Sequence, residues 1–333
     1  MKSSVPVARD AAVLGLGGHR GGRVVDNEEI CTYIDSSDEW IRTRSGIETR
    51  RWATDEETVL AMAVSAAGKA LARAGVLPEE VGVVLVASVT YLHQTPALAP
   101  LVSHQLGALH ASAMDINAGC AAFCYGLETA RGMIAGATVP GDRPYVLVIG
   151  TERLSDLTDL SDRSTAFLFG DGAGAAVVGP AEQPGIGPVV WGADGGQADA
   201  IHQLSGWDEA VRTGKYPYLT MQGNAVFRWA SYQVARVAAQ ALEAAGVAPE
   251  ELTAFVPHQA NMRITDAMAR TLGLPETVAI ARDIAQQGNT SAASIPLAMQ
   301  GLLEAGQLHS GDLALLVGFG AGLAYAAQVI RVP

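Results

Sequence analysis

An eight-residue sequence occurs twice in this chain, and it limits the folds that the chain can adopt. Residues 74–81 read AGVLPEEV and residues 245–252 read AGVAPEEL, an offset of 171 residues (245 − 74). Each copy follows a segment that has its apolar residues on one helical face. Each copy also precedes an apolar run that predicts a buried strand, at 83–89 and at 253–256. The repeat therefore predicts two halves with the same order of elements.

A second similarity supports this layout. Residues 170–176 (GDGAGAA) resemble residues 318–324 (GFGAGLA), at an offset of 148 residues (318 − 170). The stretch between the two similar segments is therefore about 23 residues longer in the first half than in the second (171 − 148). The additional residues include the polar segment 151–163. We infer two halves related by a pseudo-twofold axis, with an insertion in the first.

The composition is that of a compact enzyme with a large core. The chain has 333 residues, of which 49% are hydrophobic and 17% are charged, and this balance excludes a disordered chain. A formal net charge of −12 provides no broad basic face for nucleic acid. The three cysteines show neither a disulfide pattern nor zinc-site spacing, and the N-terminal sequence lacks the pattern of a signal peptide. We therefore expect a cytoplasmic protein.

One segment resembles a transmembrane helix in length and polarity. Residues 313–330 contain no charged side chain and number 18 (330 − 313 + 1), which is close to the minimum for a membrane span. Gly318, Gly320 and Gly322 interrupt the segment, and glycine at every second position disfavours a helix. We expect two buried strands joined by a glycine turn, and no membrane partner.

Cys120 lies at a junction between a predicted strand that ends at Ile116 and a predicted helix of small residues that begins at Ala121. A thiol at the start of a helix faces free backbone N–H groups and the positive end of the helix dipole, and both lower its pKa. We therefore expect Cys120 to be a nucleophile with a lowered pKa. The alternative is a small cysteine that fills the core, which is the more common case for an isolated cysteine.

Two polar residues occupy similar positions elsewhere in the chain. His258 follows an apolar strand, and Asn289 lies in the polar loop 286–294 before a helix of small residues. Taken singly, the histidine is typical of a structural residue and the asparagine of a turn. Under the 171-residue offset, however, Cys120 corresponds to position 291, next to Asn289. Cys, His and Asn at three strand ends form a candidate nucleophilic site.

Six motifs, in their order and spacing, resemble β-ketoacyl-[acyl-carrier-protein] synthase III, the thiolase-fold enzyme that starts type II fatty acid synthesis. They are SDEWI (37–41), RSGI (44–47), AGCA (118–121), FGDGAG (169–174), PHQAN (257–261) and GNTSAAS (288–294). The resemblance extends over nearly the whole chain, and its pattern is that of actinobacterial members of the family.

The resemblance implies an α/β fold of two βαβαβαββ halves in a five-layered αβαβα arrangement. The first half would comprise residues 1–180, with Cys120 and an inserted cap region at about 151–165. The second would comprise residues 181–333, with His258 and Asn289.

The resemblance also implies a two-step reaction. Cys120 would take the acyl group of an acyl-CoA, with its own N–H and that of Ala321 as the oxyanion hole. Malonyl carrier protein would then lose CO2, and His258 and Asn289 would donate hydrogen bonds to the resulting enolate. The acyl-Cys would be attacked to give a β-ketoacyl carrier protein. No metal or other cofactor is implied.

Contacts to the substrates and to a second subunit follow from the same resemblance. Coenzyme A would bind Trp40, Arg44, Arg163, Gly223 and Asn261, with Trp40 and Arg163 on the two sides of the adenine. The acyl carrier protein would dock on Gln259, Ala260, Asn261, Met262, Arg263, Arg228 and Arg270. In a homodimer, Thr95 would reach the acyl pocket of the partner subunit. It replaces a phenylalanine of the best-known members, so branched or longer primers than acetyl are expected.

Other functions remain open at this point. Relatives of this fold prime polyketide synthases or transfer acyl groups to oxygen or nitrogen. A non-catalytic chain-length factor is disfavoured, because Cys120 is present. A dinucleotide site at residues 15–20 is disfavoured because Arg20 occupies the position of the third glycine. Cys124, one helical turn after Cys120, is expected to be a packing residue.

Overall fold

Two five-stranded sheets, one from each half of the chain, organise the fold. The computed structural model describes residues 10–333, so residues 1–9, where the first half and the search for a signal peptide begin, lie outside the described residues. The strands are β1 Asp10–Arg20, β2 Arg23–Asp26, β3 Thr49–Trp52, β4 Val81–Ala87, β5 Ser112–Ile116, β6 Tyr145–Arg153, β7 Asp171–Ala181, β8 Val190–Gly192, β9 Ile201–Gln203, β10 Leu219–Met221, β11 Ala254–Pro257, β12 Ala279–Ile280, β13 Leu313–Gly320 and β14 Ala324–Arg331.

The helices connect these strands and cover the sheets. They are α1 Asn27–Ile30, α2 Asp38–Ser45, α3 Val59–Ala74, α4 Leu98–Leu106, α5 Ala122–Ala135, α6 Trp207–Thr213, α7 Gly223–Arg228, α8 Ala235–Ala245, α9 Met262–Leu272, α10 Ile284–Gln287 and α11 Ser294–Glu304. A π-helical segment, Trp229–Val234, joins α7 to α8.

The two sheets have the same topology. The first has the strand order β1-β7-β6-β4-β5 and the second the order β8-β14-β13-β11-β12. In each sheet the first three strands are antiparallel and the last three are parallel. Each strand of one sheet thus has a counterpart in the other.

The layers alternate as the sequence predicts. Helices α5 and α11 lie between the sheets, where Phe123 and Ile295 share one apolar cluster with Leu85 of β4 and Leu316 of β13. Helices α3 and α4 cover the outer face of the first sheet, and α8 and α9 cover that of the second. The predicted five-layered αβαβα arrangement is confirmed.

The eight-residue repeat forms the same local structure twice. Helices α3 and α8 end at Gly75 and Gly246, and both glycines have a φ of 66°. A short 3₁₀ turn follows in each half, at Pro78–Glu80 and at Pro249–Glu251. The last glutamate of each turn accepts a 2.8 Å hydrogen bond from the N–H of the residue before the proline. The repeat therefore marks equivalent positions in the two halves.

The second similarity is not a structural equivalence. Residues 170–176 lead into β7 and run along it, whereas residues 318–324 form the end of β13, a turn and the start of β14. Similar glycine spacing arose for different local reasons. The additional residues of the first half are nevertheless located between β6 and β7. That connection, 154–170, has 17 residues (170 − 154 + 1), against three between β13 and β14 (323 − 321 + 1).

The two halves meet at two short turns, which precede α5 and α11. These turns, Gly119–Ala121 and Ser291–Ala293, contact each other and are offset by 172 residues (291 − 119). Each turn packs against a glycine of the opposite sheet. A Cβ on Gly318 of β13 would lie 2.9 Å from Ala121 Cα, and one on Gly150 of β6 would collide with the backbone of the second turn. Only glycine permits this approach of backbone to backbone.

The apolar segment 313–330 forms two paired strands. Strands β13 and β14 are antiparallel neighbours joined by the turn Ala321–Leu323, as predicted. Among residues 10–333, no helix has both the length and the apolar character that a bilayer crossing requires.

We propose that the chain divides into halves at residues 180 and 181. This position falls at the end of β7, which is the last strand of the first sheet in the chain, and β8 of the second sheet begins at Val190.

Candidate active site

Cys120 lies in the first of the two central turns, between β5 and α5. It is only partly exposed, and Gly320 passes so close that a Cβ there would lie 3.0 Å from the Cys120 Sγ. Burial raises the pKa of the Cys120 thiol to about 12, although the nearby Ser291 hydroxyl lowers it in part. The expectation of a lowered pKa is therefore wrong. The free-energy cost of removing water from a thiolate outweighs the stabilisation that the start of the helix provides. The groups that affect this pKa include no cation.

His258 follows β11 and is 2% exposed. Its Nδ1 lies 2.7 Å from Ser294 Oγ, and its ring packs edge-on against Phe319 at 5.2 Å between centroids. Ser294 Oγ already accepts a 3.3 Å hydrogen bond from the Gln259 N–H, so its own hydrogen is free to point to Nδ1. Nε2 then carries the ring hydrogen. Burial lowers the pKa of His258 to about 3, so the ring is a neutral donor at neutral pH.

Asn289 is held in place by its backbone and by one side-chain atom. Its N–H donates to Leu168 O at 2.8 Å, and its carbonyl accepts from the Gly170 N–H at 3.0 Å. Oδ1 accepts a 2.9 Å hydrogen bond from the Ser291 N–H, which leaves the Nδ2 hydrogens as donors. His258 and Asn289 therefore both offer N–H groups.

The turn Ala321–Leu323 brings a second backbone segment to Cys120. A Cβ on Gly119 would lie 3.3 Å from the Ala321 nitrogen, which places this backbone N–H beside the Cys120 turn. Cys120 and Ala321 line the same cavity. The geometry suits two backbone donors directed at one oxygen.

A single cavity of about 950 Å³ connects these groups with the protein surface. It is lined by ten residues that the sequence singled out. They are Trp40, Arg44, Cys120, Gly223, His258, Ala260, Asn261, Arg263, Asn289 and Ala321. The three candidate catalytic side chains thus share one cavity, as predicted from the sequence.

Near the surface end of the cavity, two cations lie close to the ring of Trp40. The Arg163 guanidinium lies 4.4 Å from the centre of the Trp40 ring, and that of Arg44 lies 5.7 Å from it. Arg163 also donates to Asp35 O at 2.6 Å. Asn261 caps α9 through Arg263 N–H and donates to Arg44 O, which ties the two sides of the mouth together.

Comparison with known proteins shows the family. Models of 3-oxoacyl-[acyl-carrier-protein (ACP)] synthase III match residues 114–195 and, for its C-terminal part, residues 242–332. A β-ketoacyl-[acyl-carrier-protein] synthase III of Streptomyces glaucescens is 58% identical over 97% of this chain and 96% of its own length. The Mycobacteroides abscessus enzyme of the same name is 51% identical over 96% and 94%. The chain belongs to the β-ketoacyl-[acyl-carrier-protein] synthase III family.

Solved structures agree with this assignment. The priming β-ketosynthase of the R1128 polyketide biosynthetic pathway superimposes with a TM-score of 0.97 at 47% identity, over 100% of this chain and 99% of that one. The synthase III of Aquifex aeolicus gives 0.89 at 38% identity, over 97% and 100%. The thiolase-like fold and the assignment as a condensing acyltransferase are confirmed, and the alternative of a secondary-metabolite starter enzyme is not favoured.

One residue of the expected carrier-docking surface, Gln259, is buried in the structure. This side chain is 1% exposed, donates to Pro257 O and accepts from the Ile284 N–H, so it lies in the interior and is unavailable to a partner. Arg228, Arg263 and Arg270 are exposed, and none of them forms a salt bridge within residues 10–333. Arg236 is also exposed and forms no salt bridge within residues 10–333, although the sequence analysis did not identify it.

The structure also locates Thr95, Met262 and Cys124. Thr95 is exposed and does not line the cavity of its own chain, and Met262 is half-buried against Arg282. Cys124 is fully buried beside Gly318, in agreement with a packing role. Within residues 10–333, no group of three or more His, Cys, Asp or Glu side chains is arranged to hold a metal ion.

Sequence reasoning missed the serines that orient the site. Ser294 and Ser291 both lie in the quoted GNTSAAS motif, but neither was given a role. The available signal was the position of two hydroxyl groups at the start of a helix of small apolar residues, where a buried polar group requires a partner.

Replacement of Ser294 tests whether the condensation step depends on the Nε2–H tautomer of His258. In Ser294→Ala, the hydrogen bond to Nδ1 is lost and the Nε2–H form of His258 is no longer favoured. We expect the condensation step to slow about tenfold, the equivalent of roughly 1.4 kcal/mol, with Cys120 acylation nearly unchanged. Single-turnover assays of the two steps provide the measurement. Ser103→Ala, which removes a buried hydroxyl bonded to Ala108 O, is the control. Equal slowing of both steps by Ser294→Ala would contradict the assignment.

Proposed function

We propose that this synthase transfers the acyl group of an acyl-CoA to Cys120 and condenses it with malonyl carrier protein, as the first step of type II fatty acid synthesis. The observation that carries the proposal is the single cavity from Trp40 and Arg44 at the surface to Cys120, His258 and Asn289 inside. A pantetheine arm that enters at the mouth has its thioester at the nucleophile.

In the first step, the Cys120 sulfur attacks the thioester carbonyl and the coenzyme A thiol leaves. Because the pKa of Cys120 is raised, its proton leaves only as the new bond forms, and it ends on the coenzyme A sulfur when the carbon–sulfur bond of the substrate thioester breaks. The negative charge then moves to the carbonyl oxygen, where the N–H groups of Cys120 and Ala321 are the proposed donors. One such donor contributes roughly 3–4 kcal/mol to stabilisation of the transition state.

In the second step, the bond between the malonyl carboxylate and Cα breaks and CO2 leaves. The electron pair forms an enolate at the thioester oxygen, to which His258 Nε2–H and Asn289 Nδ2 donate. The enolate carbon then attacks the acyl-Cys and releases the sulfur. Two neutral donors suit this step because they stabilise a developing charge without an ion that must first be desolvated.

The coenzyme would contact Trp40, Arg44, Arg163, Gly223 and Asn261. Trp40 and Arg163 are stacked on each other at 4.4 Å, so an adenine that binds between them requires Arg163 to swing away from its bond to Asp35 O. Gly223 lines the cavity and leaves open space, where a Cβ would meet nothing within 4 Å.

The carrier would dock on Arg228, Arg263 and Arg270, with Ala260, Asn261 and Met262 beside the mouth. A local basic surface on a chain of net charge −12 is selective for an acidic partner, because charge steers the encounter and sets orientation. The three cysteines are free thiols, which fits the reducing cytoplasm that we propose as the location.

We further propose a homodimer that forms along β5. This edge strand pairs with β4 alone within residues 10–333, and Met114 on it is 40% exposed. An open strand edge can add a strand from a second chain. Thr95 is exposed and would reach the acyl pocket of the partner subunit, where its small side chain leaves room for branched or longer primers.

Acylation by a panel of acyl-CoAs tests the reaction. We expect acetyl-, isobutyryl- and hexanoyl-CoA each to add one acyl group to Cys120, read as the intact mass, and Cys120→Ala to add none. Malonyl carrier protein should then discharge the group as a β-ketoacyl product. Persistence of the acyl group, or its transfer to an alcohol or amine, contradicts condensation.

In Thr95→Phe, the two longer primers should lose at least about tenfold in rate relative to acetyl. No change would contradict the shared pocket.

Replacement of Arg263 tests carrier docking. We expect Arg263→Ala to raise the KM for malonyl carrier protein about fivefold, the equivalent of roughly 1 kcal/mol for an exposed charge pair, with acylation by acyl-CoA unaltered. Arg73→Ala, which removes a half-exposed cation on α3, is the matched control. Equal losses in both half-reactions would contradict the proposed docking surface.

A further inference from the structure

Glu152 is a buried acid next to the nucleophile, and the reaction described above does not use it. It lies in β6, its exposed fraction is 0%, and within residues 10–333 it forms no salt bridge. Burial raises the pKa of Glu152 to about 7. A carboxyl group in such a setting is retained for a reason other than stability, because an apolar residue would fill the space at a lower desolvation penalty.

The two oxygens of Glu152 have different environments. Oε2 accepts from Thr90 Oγ1 at 2.9 Å, from the Val89 N–H at 3.1 Å and from Ser88 Oγ at 3.4 Å. Oε1 is buried and forms no hydrogen bond of normal geometry with any of residues 10–333. The donors already present on Oε2 assign the proton of the neutral acid to Oε1.

Ser291 is the group that connects Glu152 with Cys120. Its hydroxyl is buried and, like Oε1, has no hydrogen bond of normal geometry within residues 10–333. The turn that carries it contacts both β6 and the turn of Cys120, and Ser291 lines the same cavity as Cys120. Its hydroxyl lowers the pKa of Cys120 and that of Glu152. Ser291 also has a φ of 48°, a left-handed conformation that is uncommon for serine and is found at functional sites. The Ser291 hydroxyl is thus an unpartnered buried group beside both the acid and the thiol.

We propose that Glu152 is a positioning residue for Cys120, and that it acts through the Ser291 hydroxyl. The proposal rests on Cys120 as the nucleophile. The neutral carboxyl donates from Oε1 to Ser291 Oγ, and the Ser291 hydrogen then points to the Cys120 sulfur, where it stabilises the thiolate. The ionised carboxylate accepts the Ser291 hydrogen instead, and its charge disfavours a thiolate nearby. Ionisation of Glu152 therefore makes Cys120 less reactive.

Other charged groups on the elements packed against β6 are bonded elsewhere. On α3, Lys69 donates to Gly18 O and Arg73 pairs with Glu304, and on α5, Glu128 pairs with Arg131. On β6, Arg153 points to the opposite face and pairs with Asp156 at 3.2 Å. On β7, Asp171 accepts from Ser155 and from the Ala53 N–H. Tyr91 follows β4, and the turns 119–121 and 291–293 contribute Cys120 as their one titratable group.

The pH dependence of Cys120 alkylation tests the proposal. In the wild type, the rate with iodoacetamide should rise tenfold per pH unit below the pKa of Glu152 and less steeply above it. In Glu152→Gln, which is neutral at every pH, the steep rise should continue. The ratio of the variant rate to the wild-type rate should thus grow from about one at pH 6 to about ten at pH 8.5, the effect of one pKa unit on Cys120. The modified residue is located by peptide mass.

Two further variants separate positioning from structural support. Ser291→Ala should slow alkylation several-fold below the pKa of Glu152, where the hydroxyl donates to the Cys120 sulfur, and the difference from wild type should shrink above that pH. Asp171→Asn removes a buried acid of the neighbouring strand and should leave the shape of the wild-type profile unchanged. A constant ratio between Glu152→Gln and wild type at all pH values would overturn the proposal. Because alkylation requires neither acyl-CoA nor carrier, failure of the proposed reaction would be seen separately in the acylation assay.

Discussion

The contact between the two turns that precede α5 and α11 is the constraint on which this structure depends. Each turn needs a glycine in the opposite sheet, Gly318 for one and Gly150 for the other, so that backbone can approach backbone. This contact brings the turn of Cys120 in the first half against the turn of Ser291 in the second, and His258 and Asn289 line the same cavity. The active site is thus a product of the pseudo-twofold packing and belongs to neither half alone.

Burial at this contact also sets the chemistry. It raises the pKa of the Cys120 thiol and lowers that of the His258 imidazole, so both groups are neutral at neutral pH. A preformed thiolate–imidazolium pair would require two desolvated charges in the centre of the protein. In the proposed reaction, the site instead presents neutral donors to charge that develops on the substrate, first on the acyl oxygen and then on the enolate.

The sequence predicted the elements that depend on local chemistry. The repeat at residues 74 and 245 predicted two helices that end there and two buried strands that follow, because glycine, proline and apolar runs act over a few residues. The similarity at residues 170 and 318 failed, since glycine spacing alone does not distinguish a strand from a turn. The expectations of a lowered pKa for Cys120 and of an accessible Gln259 were wrong for a common reason. Both depend on how completely distant segments exclude water, which a single sequence does not show.

The central claim, that His258 acts as a neutral donor through Nε2, is tested most directly by ¹⁵N NMR of histidine-labelled protein. His258→Ala identifies the signals of this ring among those of the seven histidines. We predict the chemical shifts of a neutral ring with its hydrogen on Nε2, unchanged between about pH 5 and pH 8. An imidazolium at about pH 6, or a neutral ring with its hydrogen on Nδ1, would contradict the account.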